Sequence, residues 1–114
     1  MIASLIKVRD ALTSIDGLSV YHYWRPNMSA PFCVWAEYGE SSSLQANNHK
    51  REQAIGGYVD YFTLNEFDET VDSIQVVLNS VEGLGWSLES VQYEDETNLI
   101  HYQWRFDCIG EVGL

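Results

Sequence analysis

The stretch VQYEDETNLIHYQWRF, residues 91–106, holds two strand-like runs separated by an acid-rich turn, Glu94-Asp95-Glu96. In the second run Ile100, Tyr102, Trp104, Phe106 and then Cys108 alternate with Leu99, His101, Gln103, Arg105 and Asp107. Side chains of a strand point alternately to its two faces, so this period of two sends an aromatic set to a core and a mostly polar set away. The stretch therefore reads as a terminal β-hairpin: Val91 and Tyr93 run in, residues 94–98 turn in solvent, and Ile100 to Phe106 return along the core. Its acids act as solubility and protection at a strand connection. His101 is expected to be an exposed cross-strand partner. A metal site at Glu94, Asp95, Glu96, Asn98 and His101 is not supported, because the segment has neither the alternating acids nor the glycine and terminal glutamate of a calcium loop.

Working outward, Phe67, Val71, Ile74, Leu78 and Val81 recur at three and four residue spacing and predict a helix that ends at Gly83. Thr63-Leu64-Asn65-Glu66 has the pattern of a capping box, with Asn65 as a competing N-cap, and Glu66, Asp68 and Glu69 suit the positive end of the helix dipole. Ile2, Leu5, Ile6, Leu12 and Ile15 predict a first helix stopping at Asp16-Gly17. Strands are expected at 19–24, at 32–38 and at 54–63; in the second, Phe32, Val34, Ala36 and Tyr38 oppose Cys33, Trp35 and Glu37. Bulk on both faces makes that strand an inner one. Gly56-Gly57 signals a bulge or a close backbone approach.

The order α-β-β-β-α-β-β gives the fold class α+β: one mainly antiparallel sheet of about five strands with both helices on one face. Residues 1–114 are read as one domain, interrupted by a long polar loop at about 40–53, GESSSLQANNHKREQ with its flanks. A loop of that length in a small domain is usually functional. Glu40, Ser42, Leu44, Asn47, Asn48, His49, Lys50 and Arg51 are the candidate protein-contact residues, with Lys50 and Arg51 chosen on charge and loop context.

Seventeen acidic residues against six basic ones give a formal net charge of -11, which disfavours nucleic-acid binding, since that affinity comes mainly from cations neutralising phosphates. The N-terminal apolar residues are interrupted by Lys7, Arg9 and Asp10, unlike a signal peptide, and no run approaches a membrane span. Cytosolic residence and reduced cysteines follow, with Cys33 and Cys108 read as small buried hydrophobes. No metal, cofactor or small-molecule substrate is expected, and no GxSxG, HExxH, phosphate-binding or dinucleotide signature is present. The many Tyr and Trp residues favour a subunit interface.

The segments YHYWRP at 21–26, PFCVWAEYGE at 31–40, NNHKREQAIGGYVDYFT at 47–63, EFD at 66–68, Trp86 and ESVQYEDETNLIHYQWRF at 89–106 together resemble phage and prophage tail-completion proteins. These are tail-terminator or head-tail joining minor structural proteins, and the likeness spans nearly the whole chain. It implies a non-enzymatic virion subunit that forms a ring, typically a hexamer, ends the tail tube and meets the tail-tube and head-connector proteins. Its place would be the virion neck or tail, and the host cytoplasm during assembly. The alternatives are another neck or minor tail component, or an acidic host-interaction protein that mimics DNA.

Overall fold

The computed structural model describes residues 1–25, 27, 29–42 and 50–113, Ser42 by its backbone alone. Helix α1 (Ile2–Thr13) is followed by strands β1 (Val20–His22), β2 (Phe32–Ser42) and β3 (Glu52–Thr63), helix α2 (Thr70–Ser80), and strands β4 (Leu84–Glu94) and β5 (Leu99–Glu111). They form an α+β fold around one five-stranded sheet of order β1-β2-β3-β5-β4. The β2/β3, β3/β5 and β5/β4 pairs are antiparallel, and only short β1 is parallel to its neighbour β2. Thus β2 is an inner strand, and the aromatic strand β5 lies between β3 and β4. No described helix is long and apolar enough to cross a membrane.

Strand alternation divides the sheet into two faces. Cys33 and Trp35, Ile55, Val59 and Tyr61, and Trp104, Phe106 and Cys108 join Leu5, Val8 and Leu12 of α1 and Ile74 and Leu78 of α2 in one buried cluster. Both helices therefore cover the same face. Each large apolar side chain so buried contributes on the order of 2 kcal/mol, so this cluster is the main source of stability. On the opposite face a smaller cluster gathers Phe32, Val34, Phe62 and Leu99 under Tyr21 and Ala30. Arg25 lies over the Phe62 ring at 4.6 Å. The rest of that face carries Asp60, His101, Gln103, Arg105 and Asp107, all half-buried.

Several expectations are corrected. In the first helix Val8 is buried, whereas Ile2 and Ile6 are exposed, and the helix closes at Thr13, three residues before a turn with Gly17 at φ +77°. The strand expected at 19–24 stops at His22 because Tyr23, at φ 73°, leaves the extended region. The long loop at about 40–53 is shorter than its polarity implied: Glu40 and Ser42 pair with Ile55 and Ala54 inside the ladder. Backbone pairing across a ladder needs no apolar side chain at exposed Glu40, so the polar sequence carried no sign of it. Helix α2 begins at Thr70, and Phe67 lies outside it at φ 57°. At Gly56-Gly57 the close approach is real: a Cβ on Gly57 would stand 2.4 Å from the Phe106 ring, and one on Gly56 2.4 Å from the Tyr38 hydroxyl. A bulge lies opposite them on β2, at Glu37/Gly39, and a second register shift, at Glu40/Ser42, faces Ile55 and Ala54.

Candidate protein-contact surfaces

The molecule is drawn out along its strands, 51 × 25 × 23 Å, because the β2/β3 and β4/β5 connections leave from opposite ends of the sheet. Glu52 of β3 pairs with Glu111 at the end of β5, and Thr63 pairs with Ile100 near its start. At a rise of about 3.3 Å per residue these two rows lie about 36 Å apart.

At the first end, the base of the β2/β3 hairpin is closed by Lys50, whose Nζ donates to both Glu40 carboxylate oxygens at 3.1 and 2.8 Å. Arg51 is exposed and makes no ion pair among the described residues, while its carbonyl accepts the Val112 N–H at 2.8 Å. Of the eight candidate contact residues the structure thus brings Glu40, Lys50 and Arg51 to this end and places the Ser42 backbone in β2. Leu44, Asn47, Asn48 and His49 lie outside the described residues. Beside the hairpin base, the start of α1 and the end of β5 enclose a cleft of about 580 Å³ that includes Ile2, Ala3, Lys7, Ile109 and Val112. The helix can approach β5 this closely because residue 110 is glycine; a Cβ there would meet the Ser4 hydroxyl.

At the second end, the link from β3 to α2 is held by Asp68. One of its carboxylate oxygens accepts the Tyr61 and Thr63 hydroxyls at 2.6 and 2.7 Å. The other accepts the Thr70 N–H at 2.9 Å, so Asp68 rather than Asn65 or a capping box satisfies the helix start. Burial alone would raise the Asp68 carboxyl, but these hydrogen bonds outweigh it and hold the group below its ordinary range. Reciprocally, burial and the Asp68 charge push the Tyr61 hydroxyl up to about 12. The same turn forces Phe67 into positive φ and leaves its ring 88% exposed. Leu64 and Tyr93, also exposed, share a neighbouring hollow with Glu66 and Ile100.

Two histidines meet carboxylates. On the face without helices, His101 Nε2 lies 2.6 Å from Asp60 Oδ1, which also accepts from Gln103 Nε2 at 3.0 Å, and the imidazole stacks on Phe62 at 4.2 Å. His101 is thus a cross-strand partner as expected, though half-buried rather than exposed. Near β1, His22 Nε2 lies 2.6 Å from Glu37 Oε1, between the rings of Tyr23 and Trp35. Burial tends to raise the Glu37 carboxyl, and hydrogen bonds from its own backbone, His22 and Tyr23 prevail and lower it. Each ring is fixed by its partners, so these pairs tie strands together. Among the described residues no group of three or more His, Cys, Asp or Glu is placed to hold a metal ion. Cys33 and Cys108 are buried free thiols, and burial pushes Cys33 up to about 12, far from a reactive thiolate.

The chain matches no family model and no curated protein. The contact candidates rest accordingly on geometry. Phe67 was missed as an exposed side chain because its spacing from Val71 fits a helical stripe. The signal that contradicts that stripe is Asp68, a residue suited to start a helix rather than to continue one.

Proposed function

We propose that this protein is a non-enzymatic virion subunit of a tailed phage or prophage, which ends the tail tube and joins it to the head connector as a ring. The observation that carries this reading is the display of large aromatic side chains on an ordered frame. Tyr23, Trp24, Tyr38, Phe67 and Tyr93 are each more than half in solvent, an arrangement suited to surfaces that become buried between subunits. Supporting it are the resemblance to tail-completion proteins along nearly the whole chain and a net charge of -11, which lets DNA pass without adhering. The partners in this reading are further copies of the chain, the tail-tube protein and the connector protein.

Light scattering and electron microscopy of the purified protein, alone and mixed with tail-tube protein, test the reading. Rings, or rings capping tubes of defined length, are the expected result. A protein that stays monomeric and neither caps tubes nor binds the connector would refute it. The same net charge favours a second reading, an acidic protein that mimics DNA towards a host partner. Inhibition of a DNA-binding protein by this chain, with no effect on tubes, would select that one.

A further inference from the structure

We infer that copies of this chain join head to tail, the exposed Phe67 of one entering the cleft between α1 and the end of β5 of the next. This inference rests on the assembly reading above and names the contact that reading requires. Three observations carry it. First, Phe67 is an 88% exposed aromatic held at φ 57°, a conformation that a bulky residue enters only against its preference. Asp68 enforces it through three hydrogen bonds to the adjoining strand and helix, so the ring is presented by a pinned turn. Rigid exposed aromatics of this kind are the usual anchors of protein interfaces.

Second, the cleft has the complementary character. It measures about 580 Å³ and is lined largely by Ile2, Ala3, Ile109, Val112 and glycine backbone. Ile2, Ile109 and Val112 are 64, 52 and 44% exposed, so apolar surface stays wet there as it does at Phe67. This end also carries cations free to meet the acids beside the knob. Glu66 and Glu69 lie next to Phe67 in sequence, while the cleft is lined by Lys7, which makes no ion pair among the described residues, and by Glu111. In the adjoining hollow, Arg51 is likewise unpaired, though Glu52 and Glu111 stand beside it and Lys50 is taken by Glu40. For two bodies each carrying -11, a local contact of opposite charge is what permits approach.

Third, the knob and the cleft lie at opposite ends of a 51 Å body. Helix α2 starts beside Phe67 and runs back to the far end, where the Ile109 N–H donates to the Gly83 carbonyl at 2.9 Å. A patch at one end that fits a different patch at the other cannot make a two-fold dimer by itself. It gives a directional contact that closes into a ring when the rotation per subunit allows.

The test uses two variants of the full chain, one per end. Phe67→Gly removes the knob while relieving the positive φ, so loss of fold cannot explain its effect. Lys7→Glu with Val112→Glu changes the cleft at exposed positions. Sedimentation velocity is expected to show wild-type assembly with a dissociation constant at least about ten-fold tighter than either variant alone. An equimolar mixture of the two variants should give a discrete dimer, because one intact knob and one intact cleft remain between them. Wild-type assembly that neither variant weakens would overturn the head-to-tail contact and leave the assembly reading standing. A wild type that is monomeric alone, and that binds tail-tube protein through Phe67, would also overturn it by assigning the knob to another protein. Failure of the wild type to assemble or cap tubes under any condition would end both.

Discussion

The carboxylate of Asp68 takes the hydroxyl of Tyr61 at 2.6 Å, joining the start of α2 to a residue of β3 that is only 1% exposed. Because fully buried Thr63 donates to the same oxygen, replacing Asp68 by Ala strands two hydroxyls and removes the helix start. Losses of this kind cost about 2 to 3 kcal/mol, which urea unfolding at neutral pH should register. The group is held below its ordinary value of 3.8. Its contribution is therefore fully present above that value and is lost as pH falls through the lower, folded-state value. Acid titration of stability should show this limb in wild type, and Asp68→Asn should flatten it.

Tyr61 predicts the opposite limb. Its hydroxyl is raised from 10.0 to about 12, so the folded protein keeps a proton that the unfolded chain gives up. The stability so gained is complete below pH 10 and drains away between 10 and 12. Cys33, raised from 9.0 to about 12 by burial, adds to the same loss. Alkaline unfolding followed by circular dichroism should thus be shallower in Tyr61→Phe and shallower still in Tyr61→Phe with Cys33→Ala. An unchanged alkaline limb in the double variant would show that neither group governs it.

Trp104 is wholly buried, and its indole N–H donates to Gln75 Oε1 of α2 at 3.1 Å. Trp104→Ala should cost about 3 to 5 kcal/mol, since a large aromatic leaves a cavity that the sheet cannot close. Gln75→Leu separates the bond from the packing: it should cost about 1 to 3 kcal/mol, because it leaves the buried indole N–H without an acceptor. Chemical denaturation of the two variants checks the ratio.

How much of this was legible beforehand depends on range. The alternation from Leu99 to Cys108 declared its inward set outright, because a strand's period of two follows from local geometry. The paired glycines declared a close approach, although not that Phe106 was the neighbour, since contacts across a sheet carry no local mark. The start of α2 was misplaced by a local coincidence: Phe67 falls on the helical stripe, yet Asp68 finds acceptor work with Tyr61 and Thr63 on β3 that only the folded chain provides. The contact loop was assigned from polarity. Glu40 instead belongs to a strand, and Lys50 is bound to it. The surfaces at Phe67 and at the α1/β5 cleft had no signature, because each is assembled from segments far apart in the chain.

The acidic turn gives a contrasting prediction. Asp95 and Glu96 are exposed, while Thr97 donates to Glu94 at 3.1 Å and Asn98 takes the positive φ that closes the turn. Asp95→Ala should therefore change stability by no more than about 0.5 kcal/mol. Asn98→Gly should be equally mild, because glycine enters that conformation without strain. Asn98→Val should cost more, as a β-branched residue resists it. Thermal melts of the three variants rank them, and a large loss at Asp95 would contradict a turn that merely faces solvent.

Gly57 is closed in by both a buried ring and a backbone carbonyl. A methyl group there would lie 2.4 Å from the Phe106 ring and 2.5 Å from the Ala36 carbonyl oxygen. Neither neighbour can yield cheaply: Phe106 is wholly buried in the main cluster, and Ala36 belongs to the β2/β3 ladder directly across from Tyr58. Gly85 on β4 is the control, for a Cβ there meets nothing within 4 Å. Gly57→Ala should cost about 1 to 3 kcal/mol by overpacking, and Gly85→Ala should be neutral or slightly stabilising through the unfolded chain. For a domain of this size each kcal/mol moves the melting temperature by about 4 °C or more, so calorimetry separates the two. Pairing Gly57→Ala with Phe106→Leu then tests the cause: if the ring is the obstacle, the double variant should cost less than the two single losses added together.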